Sequence, residues 1–247
     1  MNDPNPYQTP SANVVKNAPA GAAGGSLQGG ISGQYDFNIG DIISEAWNKT
    51  SGMKGPFWGA AIIITLIIFV VAIALTFALG APRGEPNVLP QIIIQLVVTA
   101  VAYPLIAGII MMGIRRSVDL PISFNLAFSY FGFAGTIIVA GILITILTMI
   151  GYLLLLLPGL YLALGYMLAI PLIVEKKLGA WQAMEASRRA ITHHWFKAFF
   201  LMLLMGLIVA VSAIPLGLGL IWTYPMMVNV MGILYRDIFG VEEARAA

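Results

Sequence analysis

Four stretches of this chain, 55 to 82, 86 to 114, 120 to 174 and 198 to 235, contain no Asp, Glu, Lys or Arg, over lengths of 28, 29, 55 and 38 residues. A helix needs about 20 apolar residues to cross about 30 Å of hydrocarbon. The first two stretches therefore hold one crossing each and the last two hold two each. Composition agrees: 59% of the 247 residues are hydrophobic and 10% are charged, against roughly 25% charged in a soluble domain. A soluble core is excluded. A β-barrel is also a poor match, because its strands alternate in polarity and runs such as Ala61-Ile62-Ile63-Ile64 do not.

The expected fold class is all-α: a polytopic membrane protein of six transmembrane helices, at 57 to 79, 91 to 114, 134 to 156, 159 to 175, 197 to 215 and 218 to 235. Leu157-Pro158-Gly159 separates the third from the fourth, and Pro215-Leu216-Gly217 the fifth from the sixth. An even number of crossings puts both termini on one side. Twelve of the thirteen basic residues fall on that side, with Arg83 the exception. The positive-inside rule makes it the cytoplasm, and a bacterial inner membrane is the expected location. No cleaved signal is expected, because the first apolar stretch begins only near residue 57. Residues 1 to 36, rich in Pro, Gly, Ala, Asn and Ser, are expected to form a disordered cytoplasmic tail, and 241 to 247 a short C-terminal one.

Three segments have amphipathic spacing. Ile39, Ile42, Ile43, Ala46, Trp47 and Thr50 share one helical face, with Asn38 as cap and Glu45 and Lys49 as an i, i+4 pair. A similar stripe of Phe124, Ala127, Phe128 and Phe131 follows Ser123. A third runs through Leu178, Trp181, Met184 and Ile191, with Glu185 facing Arg188 and Arg189. Each precedes an odd-numbered crossing and is expected to lie in the headgroup layer, apolar face down. Tyr103-Pro104 and Tyr224-Pro225 are each followed, eleven residues after the proline, by Arg115 and Arg236. The pattern divides 37 to 240 into three units, 37 to 116, 120 to 177 and 178 to 237, each an interfacial helix followed by a transmembrane hairpin.

Catalysis finds little to work with. Apart from Glu175 and Lys197 at their very ends, the six expected spans contain no ionisable acid or base of the kind that marks proton or ion relays, and the acidic residues near their ends sit beside basic ones. There is no cysteine, and His193 and His194, adjacent on a helix, point about 100 degrees apart and cannot readily grip one metal ion. No metal, cofactor or nucleic-acid partner is expected. Two sets of residues remain. Arg115, Arg116, Lys176, Lys177, Arg188, Arg189 and Arg236 either set topology or hold lipid headgroups and acidic partners. Gln95, Tyr103, Pro104, Pro171, Tyr224, Pro225 and Asn229 either join helices through hydrogen bonds and packed kinks or line a cavity.

Pro158-Gly159-Leu160-Tyr161-Leu162-Ala163, the run Leu178 to Ser187, and Tyr235-Arg236-Asp237 carry a resemblance over about residues 36 to 240. The chain resembles a family of bacterial six-helix inner-membrane proteins related to the membrane domain fused to some glycerophosphodiester phosphodiesterases. The resemblance implies a fold and no catalytic residue, since the soluble phosphodiesterase domain is missing from this sequence. The expected function is a non-enzymatic scaffold or accessory protein whose partners are membrane lipids, other membrane proteins or a second copy of itself. The alternative is a channel or carrier for a small or lipid-like solute, with a cavity near Tyr103, Tyr224 and Asn229.

Overall fold

The computed structural model describes residues 24–79 and 88–242, and every regular element among them is helical. In order these are α1 (Leu27–Ser32), α2 (Ile39–Thr50), α3 (Lys54–Leu79), α4 (Val88–Ser117), two short 3-10 turns (Phe124–Phe128 and Phe131–Phe133), α5 (Ala134–Leu154), α6 (Leu156–Gly165), α7 (Ala169–Glu175), α8 (Ala180–His193), α9 (Trp195–Ala213) and α10 (Leu220–Phe239). Five segments are long and apolar enough to cross a membrane: Lys54–Leu79, Leu89–Ser117, Phe124–Leu154, Leu156–Glu175 and Trp195–Ala213. By length and composition this is a multi-pass helical membrane protein. α10, where the sequence predicts a sixth crossing, is not among the five. Thr223, Tyr224, Pro225, Asn229, Arg236 and Asp237 dilute its apolar character.

α3 packs along α4, α5 along α6, and α9 along α10. α10 is also the helix against which α4 and α2 pack most extensively. The crossing with α4 is close because two glycines meet there: a Cβ on Gly232 would lie 2.2 Å from the Gly113 carbonyl carbon. Without a hydrophobic drive between helices in lipid, such backbone contact is what holds them together.

Several expectations are corrected. The second amphipathic helix is absent: its residues form the two 3-10 turns, and Ser123 makes no side-chain cap. α2 and α8 do form where predicted, and Asn38 caps α2 through the Gly40 and Asp41 amides. Their apolar stripes are nonetheless mostly covered by protein, with Ile42, Ala46, Met184 and Ile191 buried and Trp47 and Trp181 left exposed. Of the expected tail, residues 1 to 23 lie outside the described residues and the rest is ordered. Residues 24 to 36 include α1, capped by Ser26, which packs on α8 and α10. Tyr35 then donates its hydroxyl to Ala190 O at 2.7 Å. At the other end Val241 is buried. Lys16, Arg83 and Arg245 lie outside the described residues.

The fourth predicted helix is two helices. The chain breaks between α6 and α7, and Pro171 falls in the first turn of α7, where a missing N–H costs little. Fully buried Ser187 of α8 bridges the break by accepting from Leu168 N at 3.2 Å and donating to Gly165 O at 2.6 Å. Pro225, in contrast, is inside α10 and cannot bond Ile221 O. Trp58 of α3 takes that place, its indole N–H donating to Ile221 O at 3.0 Å.

Candidate lipid- and partner-contacting end of the bundle

The C-terminal ends of α4, α7 and α10 and the helices α2 and α8 come together at one end, and the basic residues named from sequence are gathered there. They do not form an open ring of positive charge. Arg236 is clamped by Glu45 of α2, Nη2 to Oε2 at 2.9 Å, with Nη1 reaching the other carboxylate oxygen and Ser117 O at 2.8 Å. Its Nε donates to Asp237 at 2.9 Å. Glu45 and Lys49 form the expected i, i+4 pair only loosely, at 3.8 Å. Lys49 instead lies 2.7 Å from Asp119, and Arg116 donates to Lys49 O at 3.0 Å. Arg115 donates to Pro121 O at 3.2 Å.

A second group surrounds Glu175, whose side chain is almost wholly buried. Tyr235 donates to its Oε2 at 2.7 Å, Lys176 lies 3.1 Å away, and the Glu242 amide donates to Oε1. Lys176 also reaches the Glu242 carboxylate at 3.2 Å. The third group is on α8, where Glu185 accepts from Arg188 and Arg189 as the spacing predicts, at 2.8 and 2.7 Å. Arg188 also donates to the Tyr161 hydroxyl at 3.2 Å. Lys177 is exposed, with its backbone in the left-handed region.

Charges follow from these contacts. Hydrogen bonds from Arg188, then Arg189, hold the Glu185 carboxyl down to about 2. The Lys197 hydrogen bond lowers Asp36. Burial pushes Asp237 above the usual carboxylate range, with Arg236 opposing it. The Glu185 and Asp36 shifts follow their ion-pair partners, whereas Asp237 is raised by burial against the pull of Arg236.

Of the residues named for a cavity, Gln95 and Tyr103 line one groove together and the others lie elsewhere. Asn229 is buried against α2, its amide donating to Ala46 O at 3.3 Å while Oδ1 has no partner. Tyr224 lies edge-on to Trp58, ring centroids 6.2 Å apart. Tyr103 packs its ring where a Cβ on Gly141 would be, and its hydroxyl lies 3.1 Å from Gly141 O and 3.0 Å from Thr145 Oγ1. Gln95 bonds only along its own helix, to Thr99 at 3.2 Å. Gln95, Thr99, Tyr103 and Thr145 line a lateral groove of about 480 Å³ between α4 and α5. A neighbouring hollow of about 580 Å³ shares Thr145 and adds Thr148 and Tyr152. Pro104 is buried inside α4.

Sequence reasoning gave no structural role to Ser187, Tyr235, Trp58 or Trp222. Tyr235 had a signal, since a phenol next to Arg-Asp at a helix end needs a partner when buried. Ser187 had none. No family model, curated protein or solved structure matches the chain.

Proposed function

We propose that the chain is a non-enzymatic membrane scaffold or accessory protein that contacts lipids and partner proteins, in a bacterial inner membrane with both termini cytoplasmic. The observation that supports this reading is the closure of the basic end. Its carboxylates are bonded to cations and to Tyr235 and serve as fasteners between helices, not as reacting groups. The relation to the membrane domain of glycerophosphodiester phosphodiesterases belongs to this proposal, and Tyr235-Arg236-Asp237, one of its motifs, has a joining role.

The arrangement as three hairpins is part of the same reading. It draws support from the side-by-side pairs and from the shared end at which Arg236, Ser117, Glu45 and Glu175 meet. A hairpin that begins at Trp195 and returns to Phe239 at that end keeps the termini together, whether its exposed tip at Ile214 and Leu216 reaches the far headgroups or stops inside the bilayer.

Extraction from native membranes in a polymer disc tests the function. A stoichiometric partner or retained lipid is expected, and a lone lipid-free monomer would overturn it. The second reading, a carrier for a lipid-like solute, rests on the hydroxyl-lined groove beside Tyr103. It requires that proteoliposomes move such a solute and that Tyr103→Phe with Thr145→Val slow the movement.

A further inference from the structure

Lys54 differs from the cations around it. Lys49, Arg116, Lys176, Arg188 and Arg236 each lie beside a carboxylate. Lys54 has none among the described residues, and its ammonium instead lies 5.4 Å from the centre of the Trp222 ring. It is the first residue of α3, a span with no other charge along its length, so the ammonium stands where hydrocarbon gives way to headgroups. A concavity of about 170 Å³ opens beside it, lined by Trp47, Thr50, Ser51, Lys54 and Trp222. Thr50 turns its hydroxyl back to Ala46 O, which leaves Lys54 and Ser51 as the polar groups facing the hollow. Both tryptophans on its walls are substantially exposed, Trp47 at 54% and Trp222 at 41%.

We infer that Lys54, Ser51, Trp47 and Trp222 form a binding site for the headgroup of an anionic phospholipid, an inference that rests on the lipid-contacting role proposed above. The phosphate meets the ammonium and the Ser51 hydroxyl, while the two indoles lie against the glycerol and upper acyl chains, the depth at which amphipathic rings are most stable. Among the described residues no carboxylate lines the hollow. The only formal charge on the lining is the Lys54 ammonium, which already faces the Trp222 ring, so a lipid of net negative charge is favoured over a zwitterionic one. A soluble phosphate would leave both exposed indoles uncovered, so the source of the anion is the bilayer.

The test uses the full chain in nanodiscs of mixed phosphatidylcholine and phosphatidylglycerol, with retained lipid counted by native mass spectrometry. Phosphatidylglycerol should be enriched, and Lys54→Gln should cut its retention about fivefold, the effect of one basic residue at an anionic surface. Trp47→Ala should weaken it too, Lys54→Arg should restore it, and Lys197→Gln, which removes the same charge from an ammonium paired with Asp36, should leave it unchanged. Equal losses in Lys54→Gln and Lys197→Gln would overturn the site in favour of diffuse attraction. Displacement of the lipid by inorganic phosphate would also overturn it. If Lys54→Gln does not fold, Lys54→Arg and Trp47→Ala carry the test, and unchanged retention in Trp47→Ala defeats the inference. A chain that retains partners and lipids without preferring phosphatidylglycerol defeats this site alone. One that retains neither defeats the broader reading.

Discussion

α3 and α10 are helices of similar origin and opposite use. α3 is a run of Ile, Val, Leu, Phe and Ala, with only 6% of its most apolar window buried inside the protein, and Phe77 near its end is 84% exposed. α10 carries proline, asparagine, threonine and glycine, and eleven of its twenty residues are buried. In water the more hydrophobic helix would be the central one. In a bilayer the order reverses, because lipid solvates Ile and Phe as well as a protein interior does, whereas an amide or a glycine-exposed backbone is satisfied only by another helix. The least hydrophobic of the long helices is therefore the one the others pack around.

The largest effect expected from this comparison is at the helix crossing. Gly232→Ala places a Cβ against the Gly113 backbone and should cost ~3 kcal/mol or abolish monodisperse protein. Gly206→Ala, on lipid-facing α9 with nothing within 4 Å, should be neutral or slightly stabilising. Thermal unfolding in the same detergent compares the two, and equal losses would break the contrast.

Arg236→Gln comes next. It leaves Glu45 and Asp237 partly buried without their cation and should cost about 2–4 kcal/mol, with Glu45→Gln recovering part of that loss in the double variant. Additive losses would show that the clamp is incidental. Tyr235→Phe removes one donor from buried Glu175 and should cost about 1–2 kcal/mol. Phe69→Ala on exposed α3 should change stability by less than about 0.5 kcal/mol.

Another small effect is on α8 and depends on pH. Glu185 titrates at about 2 when folded, against an ordinary value of 4.5. A lowered folded value means that its stabilisation is present above pH 4.5 and fades as the pH falls towards 2. Solvent reaches this pair, so the contribution is at most about 1 kcal/mol. Glu185→Gln should flatten that part of the melting-temperature profile, and an unchanged acid limb would remove Glu185 from it.

Much of the fold was legible locally. Asn38 capping α2 and Glu185 between Arg188 and Arg189 depend on spacing within one or two turns, and both form as expected. The failures depend on distant residues. Phe124 to Phe131 has helical spacing but lies against α4 and α3, where two 3-10 turns form instead. The break before α7 is held by Ser187, about twenty residues away. Residues 24 to 36 have the composition of a tail and are ordered by contacts with α8 and α10.

The sequence alone determined where charge is absent, hence which segments lipid can surround, and that basic residues gather beside their ends. Those outcomes follow from a transfer cost that each side chain incurs whatever its neighbours are. Only the tertiary structure decided which cation meets which carboxylate, making fasteners of basic residues that the sequence reads as topology markers or headgroup contacts, and leaving Lys54 with an aromatic wall instead of an acid. Pairing depends on geometry between residues as far apart in the chain as Glu45 and Arg236, and that geometry is set by the close approach of α4 and α10 at Gly113 and Gly232.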